Sequence, residues 1–142
     1  MSDIRYKHAT ILLVEDDDVD AKGVERAFKK LKILNPIIRA KDGLAALELL
    51  KNGEIPKPYL ILLDLNMPRM GGLEFLTEIR KDEGLKNSVV FVLTTSKDDE
   101  DKLAAYQKNI AGYIVKDRLQ YGFDELVKLL DHYWRIVELP EQ

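Results

Sequence analysis

Five residues of the chain have side chains suited to phosphate chemistry, and each follows an apolar run. Glu15 and Asp16 follow Thr10-Ile11-Leu12-Leu13-Val14, and Asp64 follows Leu60-Ile61-Leu62-Leu63. Thr94 follows Val89 to Leu93, and Lys116 follows Gly112-Tyr113-Ile114-Val115. Taken singly, each has a plain reading: an acid opens a turn, a hydroxyl stabilises one, a lysine is a solvated charge. Taken together they form a set. Carboxylates without His or Cys suit a hard cation, and a few carboxylates that leave room for water and a phosphoryl oxygen suit Mg²⁺ better than an all-protein calcium cage. The acids of residues 15 to 20 lack the central Gly and terminal Glu of a calcium-binding EF-hand loop. With the metal in place, three carboxylates and one lysine come close to neutrality. A phosphoryl group then fits, because its chemistry needs positioning and neutralised oxygens more than covalent help.

The elements that must bring these residues together are legible from periodicity. The runs 10–14, 37–40, 60–63, 89–93 and 112–115 are short and apolar and read as strands. Between them lie helical patterns. The first, about 18 to 32, has Ala21, Val24, Ala27, Phe28 and Leu31 on one stripe, with Asp17 or Asp18 as its cap. The second runs from about 44 to 52 after Asp42-Gly43 and ends at Gly53. The third runs from Leu73 to about Asp82, after the Pro68 and Gly71-Gly72 turn. The acidic run Asp98 to Asp101 opens the fourth, as the helix dipole favours. The fifth, about 123 to 137, repeats Phe123, Leu126, Leu130, Tyr133 or Trp134 and Val137, leaving a tail of 138 to 142. Alternating strands and helices with short connections predict one α/β domain over 1–142, doubly wound and flavodoxin-like. Its five-stranded parallel sheet is expected in the order 2-1-3-4-5, with five helices. Strands 1, 3, 4 and 5 are then neighbours, and their carboxyl ends, where ligands of such sheets bind, carry the five residues.

Composition narrows the function. The 142 residues are 46% apolar and 33% charged, and the net charge of -3 supplies no basic field for nucleic acid. No apolar run approaches the ~20 residues that span a bilayer. Cysteine is absent, so nothing calls for an oxidising compartment, and the cytoplasm is the expected location. His8 and His132 read as surface residues, and neither a Walker A nor a dinucleotide glycine pattern occurs.

The segments Ile-Leu-Leu-Val-Glu-Asp-Asp, Leu-Leu-Asp-Leu-Asn-Met-Pro-Arg-Met-Gly-Gly, Leu-Thr-Thr-Ser and Gly-Tyr-Ile-Val-Lys together resemble a receiver domain of a bacterial two-component response regulator. The resemblance covers nearly the whole chain. It implies that Asp64 accepts a phosphoryl group from the phosphohistidine of a sensor histidine kinase. It also implies that Asp16, Asp64 and the backbone carbonyl of Asn66 bind Mg²⁺ while Glu15 acts through water, and that Thr94 and Lys116 contact the phosphoryl oxygens. The implied switch moves the Thr94 hydroxyl toward the phosphate and turns the Tyr113 ring inward, altering the surface of helix 4, strand 5 and helix 5 toward a downstream protein. The Thr-Thr-Ser run and the long last helix look like the subgroup that works with phytochrome-type kinases. Two departures stand out. Asp117 replaces the proline that usually follows the lysine in a cis bond, which predicts a differently shaped loop. Thr95 stands where many relatives carry a smaller residue beside the phosphoryl group.

Competing functions are separable on single residues. A turnover phosphohydrolase of the haloacid dehalogenase type needs an Asp two residues after its nucleophile, and Asn66 there cannot shuttle a proton. The expectation is therefore a phosphoacceptor with self-catalysed phosphotransfer and slow autodephosphorylation, not an enzyme. A phosphorelay intermediate and an unphosphorylated scaffold are the alternatives. Trp134, Ile136, Val137 and Leu139 fit two readings, a cap on the core or an extension into a partner surface, for which a symmetric homodimer through the last helix is the commonest form.

Overall fold

The computed structural model describes residues 9–120 and 122–140, so His8 lies outside the described residues. Five parallel strands form one sheet in the order β2-β1-β3-β4-β5: β1 Thr10–Val14, β2 Ile37–Ala40, β3 Tyr59–Leu63, β4 Val89–Thr94 and β5 Gly112–Val115. The helices are α1 Asp18–Lys30, α2 Gly43–Lys51, α3 Gly72–Lys81, α4 Asp99–Tyr106 and α5 Phe123–Ile136. The doubly wound fold and its strand order are those expected.

Side-chain alternation along the strands builds two cores, one on each side of the sheet. Leu60 and Leu62 of β3 pack with Ala21, Val24 and Phe28 of α1 and with Leu126, Leu130 and Trp134 of α5. Ile61 and Leu63 pack on the other side with Leu47 of α2, Phe75 and Ile79 of α3 and Ala105 of α4. Trp134 is 1% exposed, and its ring stacks on Phe28 at a centroid distance of 6.1 Å. Ile136 is 77% exposed and Val137 is also exposed, whereas Leu139 packs partly against the core. The two readings of the tail thus divide by residue, and His132 is on the surface.

Boundaries moved by one or two residues where local chemistry decides. Helix α1 ends at Lys30 instead of 32, because Lys32 takes a left-handed φ of 58°. Strand β3 begins at Tyr59, whose hydroxyl is 2.6 Å from that of Ser88 in the interior. Helix α5 closes at Ile136, with Val137 as its C-cap. The Gly71-Gly72 pair is both turn and helix start, Gly71 being the N-cap of α3 and Gly72 its first residue. A Cβ on Gly72 would lie 2.5 Å from the Asp64 carbonyl oxygen, so only glycine lets α3 start this close to the β3 end.

Arg80, at the far end of α3, spends its guanidinium on four backbone carbonyls. Nε donates to Lys108, Nη1 to Lys86 and Ser88, and Nη2 to Asn109, at 2.7 to 3.1 Å. These bonds tie the last turn of α3 to the start of β4 and to the segment that joins α4 to β5.

Candidate functional site

The sheet register brings the chemical residues together. Val14 pairs with Leu63, and Thr94, the last residue of β4, with Val115, so Thr94 and the residues that follow the other three emerge at one edge. The Asp64 N–H donates to the Val14 carbonyl and the Glu15 N–H to the Ala40 carbonyl, which carries the ladder one residue past each strand. Three carboxylates meet there: oxygens of Glu15, Asp16 and Asp64 lie within 4.8 Å of one another, with Glu15 and Asp64 buried and Asp16 exposed. All three donors are hard oxygens, and one faces solvent, so the group fits a divalent cation that keeps some of its water.

Lys116 completes the cluster. Its Nζ donates to Glu15 Oε1 at 2.8 Å and to Asp20 Oδ2 at 2.7 Å, and it lies 3.7 Å from Asp64 Oδ2. Burial disfavours the ammonium, but hydrogen bonds to Asp20 and Glu15 and the field of Asp64 outweigh it and hold the lysine above its ordinary pKa. Glu15 moves the other way. Burial, joined by the field of Asp64, outweighs the Lys116 hydrogen bond and pushes its carboxyl up to about 7.

The remaining expected residues line the same edge. The Asn66 N–H donates to Asp64 Oδ1 at 3.3 Å, which sets the Asn66 backbone beside the carboxylate while its side chain is exposed. Thr94 is fully buried, and its Oγ1 accepts the Ser96 N–H at 3.3 Å. Tyr113 is half-buried against the α2–α4 side of the core, and its hydroxyl donates to the Ser96 carbonyl at 3.1 Å. Burial raises the pKa of that hydroxyl, so it remains a donor. Ser96 thus links Thr94, Tyr113 and, through Oγ, Asp101 of α4 at 2.8 Å. Among the described residues the only cis peptide is Lys57–Pro58, so the bond from Lys116 to Asp117 is trans and the chain leaves Lys116 through a 3-10 turn, Lys116–Arg118.

Three supports escaped the sequence reading. Asp20 stood there only as one of a run of acids, because Asp16 lies before the cap of α1 and Asp20 within its first turn, so no single periodicity relates them. Arg39 of β2 donates to the Glu15 carbonyl at 2.9 Å and pairs with Asp18 at 2.7 Å. Asp42 caps α2 and takes two hydrogen bonds from Arg69, at 2.7 and 3.1 Å, which fastens the loop after Asp64 to the start of α2. Pairings between segments this far apart in sequence leave no local pattern.

Comparison with known proteins identifies the family. Residues 11–131 match the model of the response regulator receiver domain. The chain is 39% identical to response regulator Rcp1 of Synechocystis sp. over 145 residues, covering 99% of each protein, and 36% identical to chemotaxis protein CheY-3 of Vibrio cholerae over 82% of this chain and 86% of that one. Among solved structures, the Mn²⁺-bound form of Rcp1 superposes with a TM-score of 0.82 at 37% identity, covering 93% of this chain and 99% of that one. The phosphorylated cyanobacterial phytochrome response regulator RcpA superposes with a TM-score of 0.84 at 32% identity, covering 94% and 99%. The chain belongs to the response regulator receiver family, the phosphate-accepting signalling proteins of two-component systems.

Proposed function

We propose that the protein is a phosphoacceptor switch in which Asp64 takes a phosphoryl group from a histidine kinase. The observation that carries this reading is the placement of Asp64: buried, sharing a cation-sized group with Glu15 and Asp16, and 3.7 Å from the Lys116 ammonium. A carboxylate oxygen of Asp64 attacks phosphorus, a P–O bond forms, and the P–N bond to the kinase imidazole breaks with its electron pair returning to nitrogen. Glu15, Asp16, Asp64 and the Asn66 carbonyl would hold Mg²⁺, with Glu15 acting through water. When bound, the ion neutralises phosphoryl oxygens. Lys116 donates to one of those oxygens, and the Thr94 hydroxyl, released from the Ser96 N–H, donates to another.

Release of that bond is the start of the switch. Ser96 also holds the Tyr113 hydroxyl and Asp101, so a change at Thr94 reaches β5 and α4 in one step. An aspartyl phosphate adds about -1.5 to -2 charge, enough to redirect a lysine and a hydroxyl at close range. The reading sends the output through α4, β5 and α5 to a protein partner, in the cytoplasm. Likeness to the phytochrome response regulator RcpA supports a phytochrome-type kinase as the donor, and exposed Ile136 and Val137 support a homodimer through α5.

The test is intact-protein mass after incubation with acetyl phosphate and Mg²⁺. Wild type should gain one phosphoryl group, and Asp64→Asn or a chelated sample should gain none. A gain that survives Asp64→Asn would remove the role given to Asp64. No gain in folded wild type, either with acetyl phosphate or with a phosphorylated histidine kinase, would favour the scaffold.

A further inference from the structure

Lys116 has three N–H donors, and two are already committed. Glu15 Oε1 takes one and Asp20 Oδ2 another at hydrogen-bond distance, whereas Asp64 Oδ2, at 3.7 Å, is too far to accept. The lysine side chain is 9% exposed, and with two donors fixed on Glu15 and Asp20 the third is the one free to meet a phosphoryl oxygen carried by Asp64. Asp20 is outside the carboxylate group that can hold a cation. Its backbone is fixed in the first turn of α1, where its N–H donates to the cap, Asp17 Oδ1, at 3.0 Å. Glu15, in contrast, belongs to the cation group, and a bound ion draws on the same carboxylate that holds Lys116. Asp20 is the anchor that a metal leaves untouched.

We propose that Asp20 is a positioning residue, whose carboxylate holds the Lys116 ammonium so that one N–H stays directed at the place where a phosphoryl oxygen of phospho-Asp64 arrives. This rests on the function proposed above and deepens it. The field of Asp20 alone opposes a phosphoryl dianion. The geometry points to the opposite net effect, because a long, flexible lysine chain is ordered before the phosphoryl group comes, and that ordering is no longer lost on binding.

The experiment titrates the full-length protein with beryllofluoride in excess Mg²⁺, and separately with Mg²⁺ alone, following backbone amide resonances. Asp20→Ala should raise the beryllofluoride half-saturation about tenfold, the loss expected for one hydrogen bond between charged groups. Asp20→Asn, which keeps an acceptor oxygen, should lose less. The Mg²⁺ half-saturation should hold within about twofold, since Asp20 acts through Lys116 and not on the ion. Glu25→Gln removes the same charge from an exposed position of the same helix, away from Lys116, and should leave beryllofluoride binding unchanged. In a Lys116→Met background Asp20→Ala should have no further effect. Unchanged or tighter beryllofluoride binding in Asp20→Ala overturns the proposal, as does a loss that persists without Lys116. If Lys116→Met does not fold, a Mg²⁺ affinity that falls in step with beryllofluoride overturns it equally. Wild type that neither binds beryllofluoride nor accepts phosphoryl sinks the underlying function; wild type that binds while Asp20→Ala binds as well sinks this inference alone.

Discussion

Asp42 serves two segments with one carboxylate. It accepts the Ala45 N–H at 2.9 Å as the cap of α2, and it accepts two hydrogen bonds from Arg69, which holds a left-handed φ of 62° in the loop after Asp64. The Arg69 hydrogen bond, more than the cap bond or the charge alone, lowers its pKa, against burial. A carboxyl with a lowered pKa binds protons more readily in the unfolded chain. Its stabilising effect is therefore present above the ordinary carboxylate pKa of about 3.9 and is lost as pH falls through the lower folded value. Arg69→Ala should melt below wild type at pH 6, and the gap should close as the buffer is taken to pH 3 and below, in thermal scans by circular dichroism. A gap independent of pH would assign the effect to the loop backbone instead. The sequence reading placed Asp42 before the helix without making it the cap, although an Asp before an apolar helix is a local signal; Arg69 leaves no such signal, because a pairing across 27 positions depends on where two loops meet in space.

Helix α3 begins against the phosphoacceptor loop. The Gly72 N–H donates to the Leu65 carbonyl at 3.0 Å, and there is no space for a methyl group between the helix and the Asp64 carbonyl. Gly72→Ala gains helix propensity but forces that carbonyl aside, and should cost about 1–3 kcal/mol of stability, the usual range for overpacking. Chemical denaturation measures it, and a neutral or stabilising effect would mean that the loop yields freely. The same substitution should slow phosphorylation by acetyl phosphate, because Asp64 rides on the displaced segment. Strand ends and helix starts were legible here, because apolar runs, acids and glycines act over a few residues. The 3-10 turn of Lys116–Arg118 was only partly so: the missing proline announced a different loop, but its form is set by its two caps, Val115, which is buried, and Leu119, which packs against the α1–α5 core.

At the scale of the molecule, one sheet separates two cores and carries the candidate site on its edge. That arrangement followed from the order of strand and helix patterns, since few topologies satisfy it. The fate of the last helix did not follow, because its apolar residues fit either a core or a partner until their directions are known. Trp134 faces inward and should cost about 3–5 kcal/mol when replaced by Ala. Leu129, Ile136 and Val137 face outward. If they form the proposed homodimer, Ile136→Asp should shift sedimentation from dimer to monomer while the melting temperature of the monomer changes little. Wild type that sediments as a monomer both with and without beryllofluoride would end the dimer proposal.

The Arg80 clasp has a bearing on how this fold can vary. Its four acceptors are main-chain oxygens, so the side chains of Lys86 and Lys108 contribute nothing to the joint between α3, β4 and the segment leading to β5. Those two positions can drift, changing the charge of the surface they occupy, without loosening the scaffold beneath. Arg80 cannot: lysine lacks the planar fork of donors that reaches two segments at once. The joint asks for one side chain and leaves its neighbours' side chains unconstrained.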